Sequence, residues 1–240
     1  MKRIVSRVSL LVVLVGCGPG EDHPSSSELP TSAMRISMAL DADGSGRTHV
    51  EVNAYIDSGG WGSVNVELTD GDRFRAYAPH GDSAELGVHH EYSNVDYRAQ
   101  FDDDMPGGVF RVAFEREAEE SAPVSEVEMP EPFEITSPEP GRTFGYEDRD
   151  VVLQWAPRSS DPIDIFVRGE CFEAIHLELD DDPGTVRLSD LFQMDGVRSS
   201  APCEAVARVR RTRGGSVDPA YEGGSIRARQ VRTVAFRSEW

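Results

Sequence analysis

From Ala33 to the C-terminus, apolar residues recur at every second position in short runs separated by turn residues. A period of two sends alternate side chains to opposite faces of an extended chain, so this pattern specifies half-buried strands. No stretch of useful length carries the 3.6-residue repeat of a helix. Met34, Ile36, Met38 and Leu40 make the first run, and Val50, Val52, Ala54 and Ile56 the second. Val64, Val66 and Leu68 follow, then the hairpin signal Asp70-Gly71, then Phe74, Ala76 and Ala78. Leu86, Val88, His90 and Tyr92 form a fifth run, Tyr97, Ala99 and Phe101 a sixth, and Phe110, Val112 and Phe114 a seventh. Short strands spaced about a dozen residues apart point to an antiparallel sandwich or barrel.

The pattern breaks over residues 117–132, which are rich in acids and contain Pro123, Pro130 and Pro132. With few apolar residues to bury, this stretch reads as an acidic interdomain linker. A second series follows. Val151, Leu153 and Trp155 share a face, as do Ile163, Ile165, Val167 and Cys171. Ile175, Leu177 and Leu179 come next, and Ser189 can cap one helical turn over 189–192. Cys203, Ala205, Ala207 and Val209 share an inward face; Ile226, Ala228, Val234 and Phe236 close the chain. Gln230 and Arg232 fall on that last apolar face, which predicts a bulge or register change between them. The fold class expected is all-β: two antiparallel β-sandwich modules, over 33–116 and 133–240.

The N-terminus is of another kind. Lys2, Arg3 and Arg7 precede an apolar run, Val8 to Val15, that ends at Gly16-Cys17. This is the layout of a secretory signal, and the run is well short of the roughly 20 residues a spanning helix needs. Leu14-Val15-Gly16-Cys17 resembles the lipobox of bacterial lipoprotein precursors. The resemblance implies cleavage after a 1–16 signal peptide, lipid on Cys17 and a membrane-anchored mature chain. Residues 17–32, polar and serine-rich, would then be the acylated cysteine and a flexible tether. Gly18, in place of aspartate, implies the outer membrane of a Gram-negative envelope. The overall layout resembles two-module envelope lipoproteins with immunoglobulin-like or fibronectin-like sandwiches. Ser137-Pro138, Gly141, Val151 to Trp155 and the two later cysteines make the second module similar to C-terminal domains of predicted lipoproteins from myxobacteria and relatives, most of them without assigned function.

Charge excludes some partners. The 240 residues hold 43 acids against 24 lysines and arginines, a net −19. A nucleic-acid binder draws its affinity from neutralised phosphates, so none is expected here; nor is electrostatic attraction to an anionic membrane surface. The membrane partner expected is the one the N-terminal lipid provides. With Cys17 given to lipid, Cys171 and Cys203 are an even pair in an oxidising compartment, which reads as a disulfide.

Residues 204–240 reverse the balance, with eight arginines against four acids. Arg208 and Arg210 point opposite to Val209, and Arg227 and Arg229 opposite to Ala228. On neighbouring strands these four make a ladder suited to an anionic glycan or an acidic envelope protein, because arginine forks match carboxylates and phosphates. The alternative is pairing with the chain's own acids, such as Glu170, Glu173 or Glu178. Asp41-x-Asp43-x-Ser45-Gly46 copies the first half of a calcium loop but has Val52 where the last ligand belongs, so a hairpin turn competes with that reading. His80, His89 and His90, with Asp82 or Glu91, offer zinc ligands, although adjacent strand residues point to opposite faces. No nucleophile motif or phosphate-binding glycine loop is present, and no cofactor is expected. The function expected is non-catalytic: binding, adhesion or scaffolding in the envelope. An envelope-polymer hydrolase is the alternative.

Overall fold

Alternation becomes strand wherever the apolar face finds a second layer. The computed structural model describes residues 23–58, 62–92, 94–145, 151–170, 172–188 and 203–239. Among them the chain is all-β, with 3-10 turns at Ser26–Glu28 and Thr31–Ala33 and no α-helix. No helix there is long and apolar enough to cross a membrane.

Nine strands occupy the first half: β1 Arg35–Ala42, β2 Thr48–Asp57, β3 Ser63–Asn65, β4 Arg73–Tyr77, β5 Ser83–Glu85, β6 Gly87–Glu91, β7 Asn94–Phe101, β8 Val109–Glu115 and β9 Ala122–Glu128. Eight follow: β10 Glu134–Ser137, β11 Thr143–Gly145, β12 Val152–Ala156, β13 Ile163–Gly169, β14 Phe172–Leu179, β15 Thr185–Arg187, β16 Cys203–Gly214 and β17 Gly223–Glu239.

One large sheet runs in the order β14-β13-β16-β17-β1-β2-β7-β6, with β11 added beside β17 and β3 beside β2. Most pairs are antiparallel, but β1 and β11 each run parallel to β17. Two smaller antiparallel sheets, β5-β4-β8-β9 and β10-β12-β15, complete the fold. The inner face of the large sheet meets them in two cores. Ile36, Met38, Leu40, Val50 and Val52 bury against Phe74, Phe110, Val112 and Phe114 in the first. Ile163, Ile165, Ala205, Val209, Val234 and Phe236 bury against Leu153 and Trp155 in the second.

β17 belongs to both cores. Ile226 and Ala228 lie in the first, Val234 and Phe236 in the second. Between them Gln230 and Arg232 are buried on the same face, and the pairing of β16 with β17 runs from Cys203↔Ser238 to Gly214↔Arg227 without a shift. The expected bulge is therefore absent. The polar pair sits where the strand leaves one core for the other, and Gln230 Nε2 donates to the Pro130 carbonyl at 3.2 Å. The start of β17 lies hard against β1. A Cβ on Gly224 (φ +143°) would stand 2.0 Å from the Ile36 carbonyl oxygen, so only glycine fits.

Three other expectations are corrected. The stretch expected as a linker, 117–132, contains β9, and Ala122, Val127 and Met129 lie in the first core. Its period is hidden because the register with β8 shifts between Val112 and Phe114, leaving Val124 exposed while Ser125 is buried. The stretch expected as a tether, 17–32, is docked from its described part onward. Ser26 and Thr31 are buried, and backbone bonds join Ser26 N to the Glu67 carbonyl (2.8 Å) and Glu67 N to the Pro24 carbonyl (3.0 Å). The fifth apolar run divides at Leu86: β5 joins one sheet and β6 the edge of the other, so Val88 and Tyr92 face solvent. The expected helical turn at 189–192 lies outside the described residues.

Candidate functional site

The outer face of the large sheet carries what the alternation leaves over. Residues opposite the buried rows project there, and in β16 and β17 these include Arg208, Arg210, Arg227 and Arg229. Register fixes their neighbours. Arg210 lies level with Asp164 of β13, which lies level with Glu178 of β14. Arg229 lies between Thr212 of β16 and Asp41 of β1, and Arg227 beside Ala39.

Together these rows shape a groove of about 340 Å³. Arg210, Arg227 and Arg229 line one side of it. Asp164, Glu178 and Asp180 line the other, with His176 among them. The ladder expected from sequence is thus three-quarters gathered. Arg208 is exposed one step away, level with Phe166, whose ring meets His176 edge-on at 6.4 Å.

Some of these charges are matched within the protein. Arg210 Nη1 lies 3.3 Å from Asp164 Oδ2, and Arg229 grips Asp41 with two bonds, Nε to Oδ1 at 2.5 Å and Nη2 to Oδ2 at 3.0 Å. Among the described carboxylates, the acids that engage the ladder are Asp164 and Asp41, not Glu170 or Glu178, and the Glu173 side chain lies outside what is described. His176 Nε2 lies 2.6 Å from Asp164 Oδ1 and 3.7 Å from Glu178 Oε1. Among the described residues, Arg208, Arg227 and Asp180 have no ionic partner. Nor is any histidine among them hydrogen-bonded to a serine, threonine or cysteine, the contact a base needs to activate a nucleophile.

The half calcium loop is used otherwise. Asp41 is held by Arg229, while Asp43 Oδ1 accepts the Ser45 N–H (2.8 Å) and hydroxyl (2.7 Å). Gly44 and Gly46 both take positive φ, as a tight connection from β1 to β2 requires. A carboxylate clasped by a guanidinium is a poor calcium ligand.

The histidines weighed as zinc ligands are scattered. His80 is 3.8 Å from Asp103, and His90 is level with Val95, on the face opposite to His89. The fold instead brings together His89, Glu91 and Asp96, whose ligand atoms lie within 4.8 Å of one another. Arg98 Nη2 already donates to Asp96 Oδ2 at 2.6 Å.

Cys203 is buried at the start of β16, on the face it shares with Ala205 and Ala207. Cys17 and Cys171 lie outside the described residues.

No protein-family model matches the chain, and no curated protein matches it. Among solved structures, one similar chain comes from work on host cell surface retention of a 1.5-MDa bacterial ice-binding adhesin. It is 11% identical at a TM-score of 0.25, and the alignment covers 85% of this chain and 64% of that one. A likeness that distant carries no inference about role.

Proposed function

We propose that the protein is a non-catalytic binding protein of a bacterial cell envelope, anchored by lipid on Cys17, that captures an anionic group of an envelope or external ligand on the outer face of its large sheet. The observation that carries this reading is the convergence of Arg210, Arg227 and Arg229 on one side of a single groove, with Arg227 unmatched by any described carboxylate. Planar guanidinium forks hold carboxylates and phosphates in two-point contact, and a groove strengthens such bonds by excluding part of the water. The anchor rests on the lipobox resemblance, which also favours the outer membrane.

Cys203 is taken to pair with Cys171. The chain leaves β13 at Gly169, which is level with Ala205, two residues from Cys203. Intact mass spectrometry of detergent-extracted protein checks both covalent claims. A chain beginning at an acylated Cys17, about two mass units lighter than its reduced form, is expected. An unacylated chain or free thiols would remove the corresponding claim.

The capture experiment compares wild type with the fourfold variant Arg208→Gln, Arg210→Gln, Arg227→Gln, Arg229→Gln on immobilised glycan and envelope fragments. Capture by wild type, lost in the variant and weakened by salt, is expected. Capture unchanged by the four substitutions would falsify the arginine wall as the binding site.

A further inference from the structure

The groove is bipolar, and resting on the reading above, we infer that its ligand is a zwitterion: a short peptide whose carboxylate sits at Arg227 and whose ammonium sits at Glu178 and Asp180. Arg210 and Asp164 neutralise each other across the middle of the groove, and Arg229 is held by Asp41. What is left is segregated. Arg227 stands at the β17 side, with no ionic partner among the described residues. Asp180 and Glu178 stand at the β14 side, Asp180 equally unmatched and Glu178 81% exposed beside His176.

A plain polyanion fits this arrangement badly. Laid across the groove, it would satisfy Arg227 but set like charge against Glu178 and Asp180, a juxtaposition that costs binding. A ligand with a cation at its second end turns that cost into a contact. Spacing sets the size. β14 and β17 are three strand intervals apart, and the register sets Glu178 level with Val231, four residues along β17 from Arg227, so the two backbone positions stand on the order of 20 Å apart. The Arg227, Glu178 and Asp180 side chains all line the one groove between them, and an extended peptide of about three residues, at about 3.5 Å each, bridges the part of that distance the side chains leave open. A volume near 340 Å³ falls at the small end of ligand sites, as a tripeptide requires.

The test uses detergent-solubilised full-length protein and calorimetric titration with three probes: triglycine, N-acetyltriglycine and triglycinamide. Acetylation removes the ammonium; amidation removes the carboxylate. Triglycine is expected to bind saturably, and each blocked peptide about tenfold more weakly, as loss of a charge-assisted bond produces. Glu178→Gln/Asp180→Asn should weaken triglycine about tenfold and leave N-acetyltriglycine unchanged, while Arg227→Gln should do the same with respect to triglycinamide. These are surface positions, and unchanged thermal melting confirms folding. If N-acetyltriglycine binds as tightly as triglycine and only Arg227→Gln weakens it, the anion-binding reading stands and the zwitterion is overturned. If none of the three peptides binds, the peptide is overturned, and capture of envelope fragments decides the broader reading separately.

Discussion

Among the described residues, Arg211 is the largest fully buried side chain. Its side chain has no exposure, and its charge meets Asp182, equally buried, at 2.7 Å. The guanidinium also donates from Nη1 to the Glu131 carbonyl (2.8 Å) and from Nη2 to the Pro157 carbonyl (2.6 Å), and it lies 4.9 Å over the Phe133 ring. Asp182 in turn accepts the Trp155 indole N–H (2.7 Å) and the backbone N–H groups of Ser159 and Gly184. Desolvating two charges is offset by this network, which leaves Arg211 Nε as its one unpartnered guanidinium nitrogen. Arg211→Met keeps the volume and strands the Asp182 charge, so a loss of roughly 3–5 kcal/mol in urea unfolding is expected. A loss below about 1 kcal/mol would mean that water reaches the site and that the pair is dispensable.

Among elements, the N-terminal segment departs furthest from its composition. It is polar and serine-rich, yet Arg116 clasps it to the body. Arg116 donates to the carbonyls of Ser26 (2.6 Å) and Leu29 (2.9 Å) and to the Thr31 hydroxyl (3.0 Å), while Asp72 holds its Nε at 3.0 Å. Arg116 and Asp72 are almost fully buried. Arg116→Met should free the segment while the strands persist, and thermolysin should then cut near Leu29 many times faster than in wild type. Equal cutting rates would show that the Ser26–Glu67 backbone bonds suffice alone. Under the proposed acylation of Cys17, this docking keeps the body within about 25 Å of the bilayer, the most that the few residues between Cys17 and Pro24 can span.

At the scale of the molecule, β17 makes one unit of what reads as two. Its 17 residues span about 55 Å and supply strands to both cores. Unfolding either core strips the other of a central strand. One calorimetric transition with matching calorimetric and van't Hoff enthalpies is therefore expected. Phe236→Ala, a second-core cavity costing roughly 3–5 kcal/mol, should lower the whole transition. Two resolved transitions, with only one moved by Phe236→Ala, would show that the cores melt independently.

The all-β class was legible because a period of two has one structural meaning, and because the buried rows of β1, β2, β4, β13 and β16 alternate. The same parity placed four arginines on an outer face. Register was not legible. Only strand pairing decides that Arg229 meets Asp41, 188 residues away, that Arg210 meets Asp164, and that three of the four arginines share a groove with three acids. Composition misread residues 23–32 and β9 because their burial depends on partners remote in sequence, Arg116, Asp72 and β8. It misread Gln230 and Arg232 because a strand crossing between two cores needs polar residues where a strand in one core would need a bulge. The sequence by itself determined which side chains face in and which face out, since that is local chain geometry. The tertiary structure alone decided which outward charges cancel and which remain for a ligand, since that depends on contacts between distant strands.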